Sequence, residues 1–148
     1  MEFHGKILIV DDEPHIRRFF GIVLKKIGTP TIIEAGNGTE ALALYAQHQP
    51  DLVLMDINMP GMSGVETLEK LRTLHPGARV VMLTSIATRQ VVQQSIDCGA
   101  INFVRKDIPR EQIAGLLTEI IRRHIVNPGE KSSAGPGSDE PPGTPNPA

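Results

Sequence analysis

Leu52-Val53-Leu54-Met55-Asp56-Ile57-Asn58-Met59-Pro60-Gly61 carries the reading on which the rest of the chain turns. Four apolar residues run without polar interruption, a pattern a strand needs when both of its faces are covered. An aspartate closes the run, and Asn58, Pro60 and Gly61 supply turn chemistry behind it. A strand covered on both faces belongs to a parallel sheet between helices. The carboxyl end of such a strand is where these sheets bind ligands.

Outward from this stretch the pattern repeats. Ile7 to Val10, Val80 to Leu83 and Ile101 to Val104 (with Asn102 inside it) are similar runs, and Thr31 to Ala35 is a fifth, weaker one. Helical periodicity fills the gaps. Ile16, Phe19, Phe20, Val23 and Ile27 mark the first helix, Leu42 and Tyr45 the second, and Val65, Leu68 and Leu71 the third. Val91, Val92 and Ile96 mark the fourth, and Ile113, Leu116, Leu117, Ile120 and Ile121 the fifth. Pro14 suits a first helical turn behind acidic residues able to cap it. Gly28 and Gly99 are expected to end helices, and Pro50 and Pro76 to break the chain before strands three and four. The expected fold is α/β, a doubly wound parallel sheet built as (βα)5, in one domain over residues 1–126. From 127 to 148 the composition shifts: half of the twelve prolines fall there among Gly, Ser and Asp. That segment reads as a flexible tail or linker, too poor in apolar residues to offset its ordering entropy.

Composition narrows the function classes. At 148 residues, 40% apolar and 22% charged, the chain has room for one proper core. A net charge of -2 and an aromatic content of 3% argue against direct nucleic-acid binding. The single cysteine, Cys98, excludes an internal disulfide and fits a reducing compartment. The first apolar run is too short for a signal peptide or a membrane span, so no membrane association and a cytoplasmic location are expected. His4, His15, His48, His75 and His124 are scattered, without metal-ligand spacing.

The polar residues that follow the apolar runs are the informative ones. Asp11 and Asp12 follow the first strand, Asp56 the third, Thr84 and Ser85 the fourth, and Arg105 and Lys106 the fifth. In a parallel sheet these positions share one edge and can converge on one shallow cleft. Singly, each has an ordinary explanation: Asp11 and Asp12 as helix caps, Asp56 as a turn residue, Thr84 as a satisfied hydroxyl, Lys106 as a solvated charge. Gathered, three carboxylates repel one another and call for a hard divalent cation with oxygen ligands, for which Mg2+ is suited. A lysine and a threonine beside it form a donor set for a phosphoryl group on Asp56.

The acidic pair, the Asp56 to Gly64 stretch, Thr84-Ser85 and Lys106 together resemble the response regulator receiver domains of two-component signal transduction, over roughly residues 5 to 126. The resemblance implies a flavodoxin-like, CheY-like strand order 2-1-3-4-5. It implies a regulatory phosphoacceptor rather than an enzyme, one that assists its own phosphotransfer and dephosphorylation. A sensor histidine kinase or phosphotransfer protein would phosphorylate Asp56. Asp12 would ligate Mg2+ directly, Asp11 would assist through water, Asp56 would also contact the ion, and Asn58 would offer its backbone carbonyl. Thr84 and Phe103 would form the switch pair, and Asn58 and Ile86 would tune phosphoryl lifetime. Output would leave by the face of helix four, strand five and helix five, toward a downstream target protein or an effector domain, with room for a phosphorylation-dependent dimer. Two departures stand out: Asp107 rather than proline follows Lys106, and the switch aromatic is Phe rather than Tyr.

Other classes fit less well. A flavin or nucleotide binder of the same fold needs a phosphate-cradling glycine loop where Asp11 and Asp12 stand. An aspartyl phosphatase needs a second aspartate where Asn58 stands. A phosphorylation-independent interaction module of the same fold gives no reason for Asp12, Asp56 and Lys106 to be present together.

Overall fold

A computed structural model of the chain describes residues 3–85 and 88–126. Ile86 and the 127–148 segment, singled out above for lifetime tuning and as a tail, lie outside the described residues. Strands and helices alternate: β1 (Lys6–Val10), α1 (Pro14–Lys25), β2 (Thr31–Ala35), α2 (Gly38–His48), β3 (Leu52–Asp56), α3 (Gly64–Leu74), β4 (Val80–Thr84), α4 (Arg89–Asp97), β5 (Asn102–Arg105) and α5 (Arg110–Ile121). The five strands pair in parallel in the order β2-β1-β3-β4-β5.

Alternation along each strand splits the core in two, because successive side chains leave a strand on opposite faces. Ile7, Ile9, Leu52, Leu54, Val81, Leu83 and Val104 pack with Phe20, Val23 and Leu24 of α1 and Ile113, Leu117 and Ile121 of α5. Leu8, Val10, Val53, Met55, Val80 and Met82 pack on the other side with Ala41, Tyr45, Leu68 and Leu71 of α2 and α3. Every residue of β3 and β4 is buried. This is why their sequences show no polar alternation, and each fully buried aliphatic side chain contributes about 1.5–3 kcal/mol.

Local signals at the helix ends differ in part from the sequence reading. Glu13 is the N-cap of α1, but its side chain makes no capping bond. Instead the Asp11 carboxylate accepts from the Glu13 N–H at 2.9 Å, so the acidic residue turns the chain rather than capping the helix. Gly28 does not end α1 in a left-handed conformation. It is needed because Phe3 bridges to it, and a Cβ there would collide with the Phe3 backbone. Gly99, with φ of +101°, does end α4 as expected. Asn37 caps α2 by accepting from the Glu40 N–H at 2.8 Å, and Ser63 caps α3 by accepting from the Glu66 N–H at 3.2 Å. Ile96 and Leu116, assigned above to apolar helix faces, are exposed at the stripe margins. Arg122 and Arg123 continue α5 as a π-helical turn, Arg122–Val126, and pair with Glu119.

Candidate phosphoacceptor site

The carboxyl ends of β1, β3, β4 and β5 share one edge of the sheet. Asp11 extends the β1–β2 ladder, its N–H donating to the Ala35 carbonyl at 3.1 Å. Lys106 extends β5, its N–H donating to the Thr84 carbonyl at 2.8 Å. Asp56 and Thr84 are the last residues of their strands, and both are buried. Asp11, Asp56 and Lys106 therefore continue the alternation on the α1/α5 side of the sheet. Thr84 and Phe103 continue it on the side of α2, α3 and α4, where half-buried Phe103 packs at the margin of the second cluster and pairs in register with Met82.

Of the side chains expected to converge, the three carboxylates and the lysine lie together. One carboxylate oxygen from each of Asp11, Asp12 and Asp56 lies within 4.8 Å of the others. The Lys106 ammonium donates to Asp11 Oδ2 at 2.8 Å and pairs with Asp56 Oδ1 at 2.9 Å. Asp11 is fully buried, with its other oxygen taken by the Glu13 N–H, whereas Asp12 is exposed. An open cleft lined by Asp12, Asn37, Glu40, Pro60 and Met62 runs beside the carboxylates.

Burial pushes the Asp56 carboxyl above the usual aspartate range, and the neighbouring Asp11 charge adds to this. The Lys106 hydrogen bond and charge and the Asn58 backbone N–H oppose the rise without cancelling it. Burial works against the Lys106 ammonium, but its hydrogen bonds to Asp11 and Asp56, with their charges, outweigh that and hold its pKa above the ordinary lysine value. With all three carboxylates ionised, one ammonium leaves two negative charges uncompensated. An all-oxygen donor set with one exposed member fits a hard divalent ion that retains several waters.

Two backbone features hold this geometry. The Gly64 N–H donates to the Ile57 carbonyl at 2.8 Å, and a Cβ at Gly64 would overlap the Asp56 carbonyl oxygen. Glycine is required there so that α3 can start directly under the phosphoacceptor candidate. Lys106 is followed by Asp107, which pairs with Arg105 at 2.8 Å, and no cis peptide occurs among the described residues. One residue escaped the sequence reading: Arg17, whose guanidinium donates to the Asp11 carbonyl at 2.7 Å and to Glu34 Oε1 at 2.8 Å. On sequence alone it is an ordinary charge on an amphipathic helix.

Comparison with known proteins agrees with this architecture. The response regulator receiver domain family matches residues 7–118. The chain is 35% identical over 116 residues to the chemotaxis protein CheY of Bacillus subtilis, covering 78% of this chain and 97% of that protein. It is 36% identical over 108 residues to sporulation initiation phosphotransferase F of the same organism, covering 73% of this chain and 86% of the relative. Among solved structures, the CheX–CheY–BeF3–Mg2+ complex from Borrelia burgdorferi superposes with a TM-score of 0.74 at 28% identity, over 78% of this chain and 88% of that one. No described helix is long and apolar enough to cross a membrane. With the strand order, the acidic edge and these matches in agreement, the chain belongs to the response regulator receiver domain family.

Proposed function

We propose that this domain accepts a phosphoryl group on Asp56 in the presence of Mg2+, taking it from a phosphohistidine on a sensor kinase or phosphotransfer protein. The observation that carries the reading is Lys106 bridging Asp11 and Asp56 beside a third carboxylate. An Asp56 oxygen forms the bond to phosphorus as the phosphorus–nitrogen bond breaks, and the imidazole leaves with the electron pair. Positioning and charge neutralisation carry most of such a reaction. Asp12, Asp11, Asp56 and the Asn58 carbonyl would hold Mg2+, which when bound neutralises charge on the transferred group. The Lys106 ammonium moves from a carboxylate oxygen to a phosphoryl oxygen, and the Thr84 hydroxyl donates to another.

The same reading accounts for a switch. Thr84 and Phe103 lie on one side of the sheet in adjacent strands, so a threonine drawn toward the phosphoryl group frees space for the ring to move inward. That shift biases the α4–β5–α5 face between two populations and alters binding of a downstream target or effector domain. Incubation with Mg2+ and acetyl phosphate should add one phosphoryl group, labile to base and to hydroxylamine as an acyl phosphate is, and Asp56→Ala should abolish it. Robust labelling of that variant refutes the assignment, and labelling that survives a chelator removes Mg2+ from it. No labelling of the wild-type protein favours an interaction module that works without phosphorylation.

A further inference from the structure

We infer that Arg17 is a positioning residue for the acidic site, holding the Asp11–Asp12 peptide in place so that both carboxylates face a divalent cation. The inference rests on the reading of the site as Mg2+-dependent. Arg17 lies in the first turns of α1, yet both of its bonds leave the helix. Nη1 donates to the Asp11 carbonyl at 2.7 Å, and Nε donates to Glu34 Oε1 on β2 at 2.8 Å. The guanidinium is the tucked-in partner of this pair, 18% exposed against 49% for Glu34. The loop after β2 passes close by: a Cβ on Gly36 would sit 3.6 Å from Nη1. One side chain thus ties the residue that follows β1 to β2.

The held carbonyl belongs to the peptide that joins the buried carboxylate to the exposed one. Asp11 is fixed through its own N–H to Ala35, through Oδ1 to Glu13 and through Oδ2 to Lys106. The direction in which Asp12 leaves depends on the plane of the next peptide, and Arg17 sets that plane. Arginine suits the task because its rigid fork offers separate nitrogens to two acceptors, one just after β1 and one on β2, where lysine has a single nitrogen. Charge alone predicts the opposite behaviour. A cationic side chain near the site repels Mg2+, so its removal should tighten binding, whereas loss of positioning should weaken it. The sign of the change therefore discriminates.

The test is calorimetric titration of Mg2+ into the metal-free full chain, with labelling by acetyl phosphate followed across Mg2+ concentration. Arg17→Met should raise the Mg2+ dissociation constant about 10-fold, the lower end for losing a group that orients a metal ligand. The Mg2+ concentration for half-maximal labelling should rise by the same factor, with the rate at saturating Mg2+ nearly unchanged. Arg17→Lys keeps the charge and should recover part of the loss, which also covers the case in which Arg17→Met folds poorly. Arg72→Met is the control, since Arg72 holds the Pro76 and Ala78 carbonyls ahead of β4, away from the acidic edge. It should lower stability and leave Mg2+ affinity unchanged. Equal or tighter binding by both Arg17 variants, or an equal loss in Arg72→Met, overturns the inference while the phosphoacceptor reading stands. A wild-type chain that takes up no Mg2+ overturns both.

Discussion

Replacing Lys106 with methionine isolates the charge on which the site depends. The Lys106 side chain is 12% exposed and its partners Asp11 and Asp56 are 0% and 7% exposed, while the neighbouring Asp12 is exposed and lines an open cleft. Methionine keeps most of the stem and leaves two buried carboxylates without a counter-charge. Removing one partner of a buried pair costs about 3–5 kcal/mol, and the nearby opening puts this case at about 3 kcal/mol in chelator. For a domain of this size that corresponds to a fall in Tm of about 10 °C. The lysine pKa is raised on folding, so its stabilisation is complete below the ordinary value of 10.5 and is lost as pH climbs through the folded value. Urea unfolding followed by far-ultraviolet circular dichroism would compare wild type, Lys106→Met, Asp56→Asn and the double variant. The double variant should recover at least about 1 kcal/mol over Lys106→Met, because one unpaired charge has been removed with its partner. Saturating Mg2+ should stabilise Lys106→Met more than wild type, since the ion then supplies the missing positive charge. A single variant within about 0.5 kcal/mol of wild type, the range of an ordinary surface change, would refute the reasoning.

Other outcomes follow from the same geometry. Asp56 has a raised pKa through burial and the Asp11 charge, so it contributes stability below 3.8 that is lost as pH rises through its folded value. In chelator, Asp56→Asn should lack that loss and be more stable than wild type at neutral pH; identical pH profiles in chemical denaturation would contradict this. Gly64→Ala places a methyl on the Asp56 carbonyl and 2.8 Å from the Ile57 Cα. It should cost about 2 kcal/mol by overpacking and slow labelling at Asp56, and an unchanged melt would show that the close approach is not required. Ser63→Ala and Asn37→Ala each remove a helix cap and should cost about 1 kcal/mol in thermal or urea unfolding. Labelling per folded molecule should be unaffected by either cap variant.

The parts of the molecule legible in sequence are those set by period and position. β3 and β4 are covered on both faces, so Leu52 to Met55 and Val80 to Leu83 had to be continuous apolar runs. Parallel pairing then forced Asp11, Asp56 and Lys106 to one edge, and their mutual distances follow. Features made by contacts between distant segments were not legible. Gly28 looks like a helix terminator until Phe3 is seen to lie against it. The acidic residues ahead of Pro14 look like helix caps, but the Glu13 side chain makes no capping bond and the Asp11 carboxylate accepts from the Glu13 N–H. Ile96 and Leu116 fit the helical period yet sit at the edge of their stripes, where a small rotation of the helix decides exposure. Arg17 is the sharpest case, since its partners lie 6 and 17 residues away, outside its own helix.

The central claim is that Asp56, and no other carboxylate of the cluster, receives the phosphoryl group. Borohydride reduction of an aspartyl phosphate leaves homoserine at the modified position, which peptide sequencing by mass spectrometry locates. After treatment with Mg2+ and acetyl phosphate, homoserine should appear at position 56 and unmodified aspartate at 11 and 12. Homoserine at either of those positions, or an unmodified Asp56 in protein that has taken up phosphate, would contradict the claim.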